Sequence, residues 1–310
     1  MTLALNPTLD LSTSVELIEP WHKLRCDEPA LDPGGGGINV ARVIKELGGE
    51  ASIVAALGGH VGSILSEAVT RLGIPLIRIS TRRETRQNFS VSERATGRQY
   101  RFVHTGPRMT VGIWQRCLDA TVEAARAAAC VVASGSLPPG VPDDAFAELA
   151  FRLQPLSVPL IVDTSGAALA AAALAPVHLL KPSVNELGAI TGDGSRLGRR
   201  RDIELAARSL LEDGLCDIIA VSMGADGAIF VPRDGASFSV HAPSVTVNSS
   251  IGAGDSMVGG IAYALAEGKD LHEAARLGVA SGTASVLSSG TSLCHRADVE
   301  KLLPDVLIEV

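Results

Sequence analysis

The sequence predicts an α/β protein with a doubly wound, mostly parallel sheet and a small β lid, and three observations carry that prediction. Hydrophobic residues fill 46% of the 310 positions but aromatic residues only 3%, so the core must be built from Ala, Val, Leu and Ile, as suits helices packed on a parallel sheet. Short apolar runs bounded by Gly, Pro or Asp alternate with stretches of helical periodicity through the middle of the chain. Two stretches, 12–31 and 87–103, break this rhythm and read as strands outside the main sheet. The length exceeds that of a usual single core, so one large domain over 1–310 with a smaller excursion is expected.

The strand-like runs lie at 52–57, 130–134, 160–163, 178–180 and 217–222, and the helical patterns at 38–47, 64–72, 114–128, 144–153 and 203–211. That order is a β-α-β-α succession with crossover helices. In 87–103, Asn88, Ser90 and Ser92 alternate with Phe89 and Val91, and the pattern turns at Thr96-Gly97 like a hairpin. The two irregular stretches both carry basic residues, so pairing into a lid over the carboxyl edge of the sheet, where ligands bind in such folds, is expected. Asn6-Pro7-Thr8-Leu9-Asp10 reads as the end of the first strand, and the chain after Ser250 reads as nearly all helical.

Five cysteines (Cys26, Cys117, Cys130, Cys216, Cys294), odd in number, far apart and without a C-x-x-C, argue against a disulfide framework or a zinc ribbon, and a reducing cytoplasmic location is expected. The start, MTLALNPTLD, has no basic region leading into an apolar one, and the longest uncharged apolar stretch, 167–180, is interrupted by Pro176, so no membrane partner is expected. A net charge of -7, with two Trp, two Tyr and six Phe, argues against nucleic acid. The average hides a reversal between Arg78 and Arg108, which holds eight Arg, no Lys and two Glu. The planar guanidinium fork grips phosphate through paired hydrogen bonds, so this window suggests phosphate recognition. Only five of the 27 basic residues are Lys, however, so a solvated face in an Arg-biased chain is an equal reading.

The strongest local signal is SIGAGDSMVGG at 250–260, directly before an apolar helix. Small residues at Gly252, Ala253 and Gly254 let backbone N–H groups crowd toward an anion, and the helix adds its positive end. Such a segment can hold charge developing on phosphoryl oxygens, and Asp255 at its lip can accept a proton from an attacking hydroxyl. Asp255 could instead cap the helix, but a cap needs neither three small residues before it nor two glycines soon after. The helix end is expected to lower the pKa of Asp255 and make proton transfer late.

Gly34-Gly35-Gly36-Gly37 opens a helix and suggests close backbone approach to a ligand, with Asn39 one residue in, set to bond a sugar hydroxyl or to stabilise the turn. The run follows Pro33 and a lid-like stretch rather than the first strand of a βαβ unit, which argues against a dinucleotide fingerprint. Asp10, at a strand's carboxyl end, suits the fixing of sugar hydroxyls or a turn. Ser222-Met223-Gly224-Ala225-Asp226-Gly227 and Lys181-Pro182-Ser183-Val184-Asn185-Glu186, each after a buried strand, look directed at a nucleotide, with Glu186 able to hold Mg²⁺ through water; singly each also reads as a tight turn.

The order of GGGGINVAR, a Lys-Pro-x-x-x-Glu element and IGAGDSMVGG resembles the ribokinase-like (PfkB) family of sugar kinases nearly end to end. Asn6 to Asp10, Lys23-Leu24-Arg25-Cys26, Thr85-Arg86-Gln87-Asn88, Tyr100-Arg101-Phe102 and Ser134 to Gly140 resemble the branch that phosphorylates fructose 6-phosphate. The resemblance implies a three-layer αβα sandwich with a β lid, and transfer of the γ-phosphoryl group of ATP to C1 of fructose 6-phosphate with Asp255 as base. It places Asp10, Gly35, Asn39 and Ser136 on the sugar, and Lys23, Arg86 and Arg101 in the lid region that receives its phosphate. Lys181, Ser222, Gly224 and Gly227 would line the nucleotide, Gly252, Ala253 and Gly254 the anion hole, and Glu186 would organise Mg²⁺. A homodimer through the lids, a second inhibitory MgATP and a monovalent cation such as K⁺ are implied as well.

Three positions depart from the family pattern. Ser183 stands where the Asn of Asn-x-x-Glu is usual, and Ser288 and Ser292 where this branch usually carries Asn and Arg, which bears on magnesium and on the cation. Tagatose-6-phosphate kinase and 1-phosphofructokinase share the anion hole but more often carry a Lys within the glycine run, which is unbroken here. A catalytically idle sugar-phosphate sensor is a reading of a different class, opposed by the intact loop around Asp255.

Overall fold

The computed structural model describes residues 1–194, 197–288, 290 and 292–310. From β1 (Thr2–Ala4) the chain leaves for β2 (Thr8–Val15) and β3 (Ala30–Gly34), returns through α1 (Gly36–Glu46) to β4 (Ile53–Gly58), and proceeds by α2 (Gly59–Arg71) to β5 (Leu76–Thr81). It leaves again for β6 (Arg86–Glu93) and β7 (Gln99–Phe102) and comes back through α3 (Val111–Ala125) to β8 (Val131–Ser134). Strand and helix then alternate through α4 (Ala145–Leu153), β9 (Leu160–Asp163), α5 (Gly166–Ala173), β10 (Leu179–Leu180), α6 (Val184–Thr191), α7 (Arg200–Asp213) and β11 (Ile218–Ser222). The chain closes with β12 (Ala228–Pro232), β13 (Phe238–His241), α8 (Ala253–Ala266), α9 (Leu271–Ser285), α10 (Arg296–Leu302) and β14 (Leu307–Glu309).

The main sheet runs β14-β13-β12-β11-β10-β9-β8-β1-β4-β5. From β5 to β11 every pairing is parallel, and β12, β13 and β14 add an antiparallel edge. Alternation along the strands explains the layers. Ile53, Ala55, Leu57, Val132 and Ile161 pack with α1, α2, α8 and α9 on one face, while Leu3, Val54, Val131, Ala133 and Val162 pack with α3, α4, α5 and α7 on the other. Strand order reverses between the neighbours β1 and β8, and the crevice at the carboxyl ends of strands flanking such a reversal is where an open α/β sheet binds ligands. The loops after β1, β8, β9 and β10 all open there.

A second sheet, β3-β2-β6-β7, forms the lid. Its central pair β2–β6 is parallel and its outer pairs are antiparallel. The lid strands lie at 8–15, 30–34, 86–93 and 99–102 rather than throughout 12–31 and 87–103. The first stretch is the larger miss: Asp10 is inside lid strand β2, not at the end of a main-sheet strand, because the chain crosses from one sheet to the other at Asn6-Pro7. Asp10 pairs in register with Asn88, and Ser90 with Arg101, so pleating sets all four on one polar face. Leu11, Phe89 and Phe102 take the other face, with the rings of Phe89 and Phe102 6.1 Å apart. The helical reading of the chain after Ser250 holds for α8, α9 and α10 but misses β14, which pairs with β13. All five cysteines are free, and among the described residues no helix is long and apolar enough to cross a membrane.

Candidate active site

Asp255 lies in the first turn of α8, whose N-cap Gly252 takes a left-handed conformation, φ 78°. A side chain at Gly252 would also run into Leu293, so the tight entry to the helix needs glycine there. The first backbone N–H groups of a helix have no acceptor within it, which leaves those of Gly252, Ala253 and Gly254 to face an anion. Two distant residues orient the carboxylate: Asn39 Nδ2 in α1 donates to Oδ2 at 2.8 Å, and Ser134 Oγ at the end of β8 donates weakly to Oδ1 at 3.5 Å. Asn39 is itself steadied by Arg42, whose Nη1 lies 3.5 Å from its Oδ1 and 2.7 Å from the carbonyl of Pro33.

The pKa of Asp255 is pushed up to about 6, first by burial and then by the nearby charge of Asp163, against the opposing pull of Asn39, Lys181 and Ser134. This corrects the expectation of a lowered value. A helix end contributes a fraction of a charge, whereas loss of water around a carboxylate at the floor of the cleft is the larger effect. The result suits a base better, since its conjugate acid now titrates close to neutrality.

Beneath the same helix end, Lys181 Nζ pairs with Asp163 Oδ1 at 3.1 Å, and a side chain at Gly254 would meet that ammonium at 3.6 Å. Burial works against the Lys181 charge, but Asp163, Glu186 and Asp255 together outweigh it and raise its pKa. Lys181 is thus a fixed positive charge under the loop that is to hold phosphoryl oxygens.

The glycine run packs tightly against neighbouring strands. A Cβ at Gly34 would strike the Asp10 carboxylate, and one at Gly37 would press on the backbone of Leu3. Gly35 has φ 94° and packs on Pro7 and Asn6. At Gly36 a Cβ would collide with Ser134 Oγ and lie 2.6 Å from the backbone nitrogen of Gly135. The run thus packs closely on the ends of β1 and β8 and on β2, where no side chain fits. Gly36→Ala is expected to cost about 3 kcal/mol and to displace Ser134 from Asp255, read as a lowered Tm together with lost activity.

On the lid side, Asp10 accepts from Asn88 Nδ2 at 2.9 Å, and burial raises its pKa against Asn88, Thr8, Arg86 and Arg101. Arg86 spends its fork on backbone, with Nε and Nη2 on the carbonyl of Asn6 at 3.2 and 2.8 Å and Nη1 on that of His104 at 2.6 Å. Arg101 is exposed on the polar face beside Asp10. Ser136, exposed at the end of the β8 loop, accepts from Asn6 Nδ2 at 3.1 Å. Lys23 lies apart from this group, exposed in the segment between β2 and β3, with no side-chain hydrogen bond or ion pair among the described residues.

Across Asp255 from the lid lies a cavity of about 400 Å³ lined by Ser222, Gly224, Gly227, Ala253 and Gly254, with Val245, Val247 and Val286 among its apolar walls. Gly224 has open space where a side chain would stand, as a site for a flat group requires, whereas Gly227 is needed for the turn, since a Cβ there would strike the carbonyl of Val240. Glu186 and Ser183 form a capping box at the start of α6: Ser183 N and Oγ both donate to Glu186 Oε2 at 2.8 Å. The hydroxyl that replaces the usual amide thus holds Glu186 in place.

Among the described residues no three His, Cys, Asp or Glu converge as a metal cage. Mg²⁺ needs none, because it keeps several waters and takes one or two carboxylates plus substrate phosphates, and Glu186 and Asp163 lie within electrostatic reach of one another. The donor set fits Mg²⁺ on those terms. The loop on which a monovalent cation is expected is described in part. The carbonyls of Val286, Leu287, Gly290 and Leu293 already accept from Asn248, Ser249 and Ser288, and Ser289 and Thr291 of that loop lie outside the described residues.

With lid, carboxylate, helix end and cavity in one crevice, the arrangement is that of a phosphotransferase, and the profile of pfkB family carbohydrate kinases matches residues 5–298. The chain belongs to that family. An ATP-dependent 6-phosphofructokinase isozyme 2 of Mycobacterium tuberculosis is 43% identical over 97% of this chain and 88% of its own length. The crystal structure of phosphofructokinase-2 from Escherichia coli in complex with substrates and products superimposes with a TM-score of 0.91 and 38% identity over 98% of each chain. A 1-phosphofructokinase of Borreliella burgdorferi is 30% identical over 99% of this chain and 97% of its own. Three side chains that touch the candidate residues of this pfkB kinase were not singled out from the sequence: Ser134 on Asp255, Asp163 on Lys181 and Arg42 on Asn39. Only Asp163 left a signal, as a carboxylate closing the buried strand Leu160–Asp163.

Proposed function

We propose that this chain is an ATP-dependent 6-phosphofructokinase, moving the γ-phosphoryl group of MgATP to the C1 hydroxyl of fructose 6-phosphate. The observation that carries the reading is the place of Asp255, oriented by Asn39 and Ser134, between the polar face of the lid and the cavity walled by Ser222, Gly224 and Gly254. Its kinship supports the choice of substrate: the relatives named 6-phosphofructokinase are more similar than the one named 1-phosphofructokinase.

In this reading Asp10, Gly35, Asn39 and Ser136 hold the sugar, and Arg101, with Lys23 and Arg86, receives its phosphate. Asp255 takes the C1 hydroxyl proton as the oxygen bonds to the γ-phosphorus and the bond to the bridging oxygen of ADP breaks. The N–H groups of Gly252, Ala253 and Gly254, with Lys181 behind them, stabilise the charge that builds on the transferring group. Ser222, Gly224 and Gly227 border the nucleotide. Glu186 would hold Mg²⁺ through water, and that ion, when bound, offsets phosphate charge. The lid's exposed Leu31, Phe89 and Phe102 support pairing with the lid of a second copy.

ADP release measured with MgATP against fructose 6-phosphate, tagatose 6-phosphate, fructose 1-phosphate and fructose tests this reading. Fructose 6-phosphate is expected to give much the highest kcat/KM. A higher value for tagatose 6-phosphate or fructose 1-phosphate moves the chain to another branch of the family. Binding of a phosphosugar with no turnover of any makes it a sensor.

A further inference from the structure

A cavity of about 580 Å³ lies away from the active site, where the chain passes between main sheet and lid. Arg82 and Arg83 belong to the passage from β5 to β6, and Pro107 to Thr110 to the passage from β7 to α3. Both passages line the cavity together with the first turn of α3. The lining carries four guanidinium groups, those of Arg82, Arg83, Arg108 and Arg116, and no carboxylate. Arg82, Arg83 and Arg108 are three of the six members of the arginine-rich window that the active site leaves unused, and Arg116 joins them from α3.

Several arginines elsewhere on this acidic protein find carboxylate partners: Arg94 pairs with Glu16 and Asp27, Arg152 with Asp119 and Glu148, Arg296 with Glu300. At the cavity, Arg116 donates to the carbonyls of Gly112 and Ser80 at 3.2 and 3.3 Å. Arg82, Arg83 and Arg108 make no side-chain hydrogen bond or ion pair among the described residues. α3 opens onto the same space without a side-chain cap from Thr110 and with no acid in its first turn, so its free N–H groups add to the positive field. Three unrelieved like charges held together repel one another, and an anion removes that repulsion. Pro107, Met109 and Ile113 give the cavity an apolar wall as well.

The geometry points to a second anion site at the root of the lid, for a compound carrying two or three linked phosphates. Three forks need several negative charges spaced along a ligand, and a cavity of this size admits one as large as a nucleotide. Occupation ties the two lid passages together. The effect reaches the substrate side through the second passage: the carbonyl of Thr105 accepts from Asn6 Nδ2 at 3.0 Å, the nitrogen that also holds Ser136, and the carbonyl of His104 accepts from Arg86. A bound anion therefore restrains the lid strands and lowers KM for the phosphosugar.

Calorimetric titration of the full chain with inorganic tripolyphosphate and with guanosine 5′-diphosphate, in excess AMP, which carries no linked phosphates, to fill the Ser222–Gly254 cavity, tests the site without any turnover, so its outcome is independent of the substrate proposed above. At least one probe is expected to bind, and Arg82→Gln with Arg108→Gln to weaken it at least tenfold. A variant that loses two exposed charges elsewhere, Arg71→Gln with Arg201→Gln, should keep wild-type affinity. Tighter binding of the nucleotide shows that the apolar wall takes a base, and tighter binding of tripolyphosphate that it does not. Absence of binding by both probes, or equal weakening in the two variants, overturns the site; an unchanged KM on saturation overturns its link to the lid.

Discussion

Asp255→Asn is expected to lower kcat roughly a thousandfold and, at the same time, to stabilise the ligand-free protein at neutral pH. The two effects share one cause. Burial and Asp163 push the Asp255 pKa from 3.8 up to about 6, so the native state binds a proton more tightly than the unfolded chain does. That preference favours folding fully below pH 3.8 and is lost as pH rises through 6, so at pH 7.5 the ionised carboxylate costs the native state about 3 kcal/mol. An amide at this position accepts from Asn39 without carrying the charge. The variant should therefore melt a few degrees higher than wild type at pH 7.5 and lose that advantage toward pH 4. In wild type, kcat/KM should fall with an acidic limb near pH 6, where the free protein's base takes its proton, and the residual activity of the variant should lack that limb. A variant that is no more stable than wild type at pH 7.5, or that keeps the limb, would show that Asp255 is not the strained group described.

Asp255 was legible because its signal is local: three small residues, a carboxylate and two glycines in eleven positions announce a helix end built for an anion. Its pKa was not legible, because the helix end is written in the sequence whereas burial and Asp163 are supplied by the fold. Ser134 and Asn39 stand 121 and 216 residues from the group they orient, and nothing in a serine after a valine-rich strand tells of that contact. The same limit applies to the cavity wall of Val245, Val247 and Val286, apolar residues that look like any part of the core. In the fold, the parallel strands showed themselves as apolar runs closed by turn residues. β5, LIRIST, was hidden at the edge of the arginine-rich window, and β2 was merged with β1 because only Leu5-Asn6-Pro7 separates a main-sheet strand from a lid strand.

Lys181→Met is expected to destabilise the protein by about 3 kcal/mol at pH 7.5 and to impair phosphoryl transfer separately. Lys181 is buried and 3.1 Å from Asp163, so its loss leaves Asp163 facing Glu186 and Asp255 with no counter-charge. Burial already raises the Asp163 pKa with Lys181 opposing it, and removal of that opposition raises it further. Since a raised carboxyl pKa favours folding at low pH, the deficit should grow from pH 5 to pH 8 and shrink as Asp163 takes up a proton. Lys181 also lowers the pKa of Asp255, so the acidic limb of the variant's kcat/KM should move above pH 6. Pairing the change with Asp163→Asn separates the roles. The double variant removes both buried charges and should recover most of the lost stability, whereas the positive charge beneath Gly254 remains absent and kcat should stay about tenfold to a hundredfold low. Recovery of activity along with stability would mean that Lys181 serves only to neutralise Asp163, and that α8 holds the transferring phosphoryl group unaided.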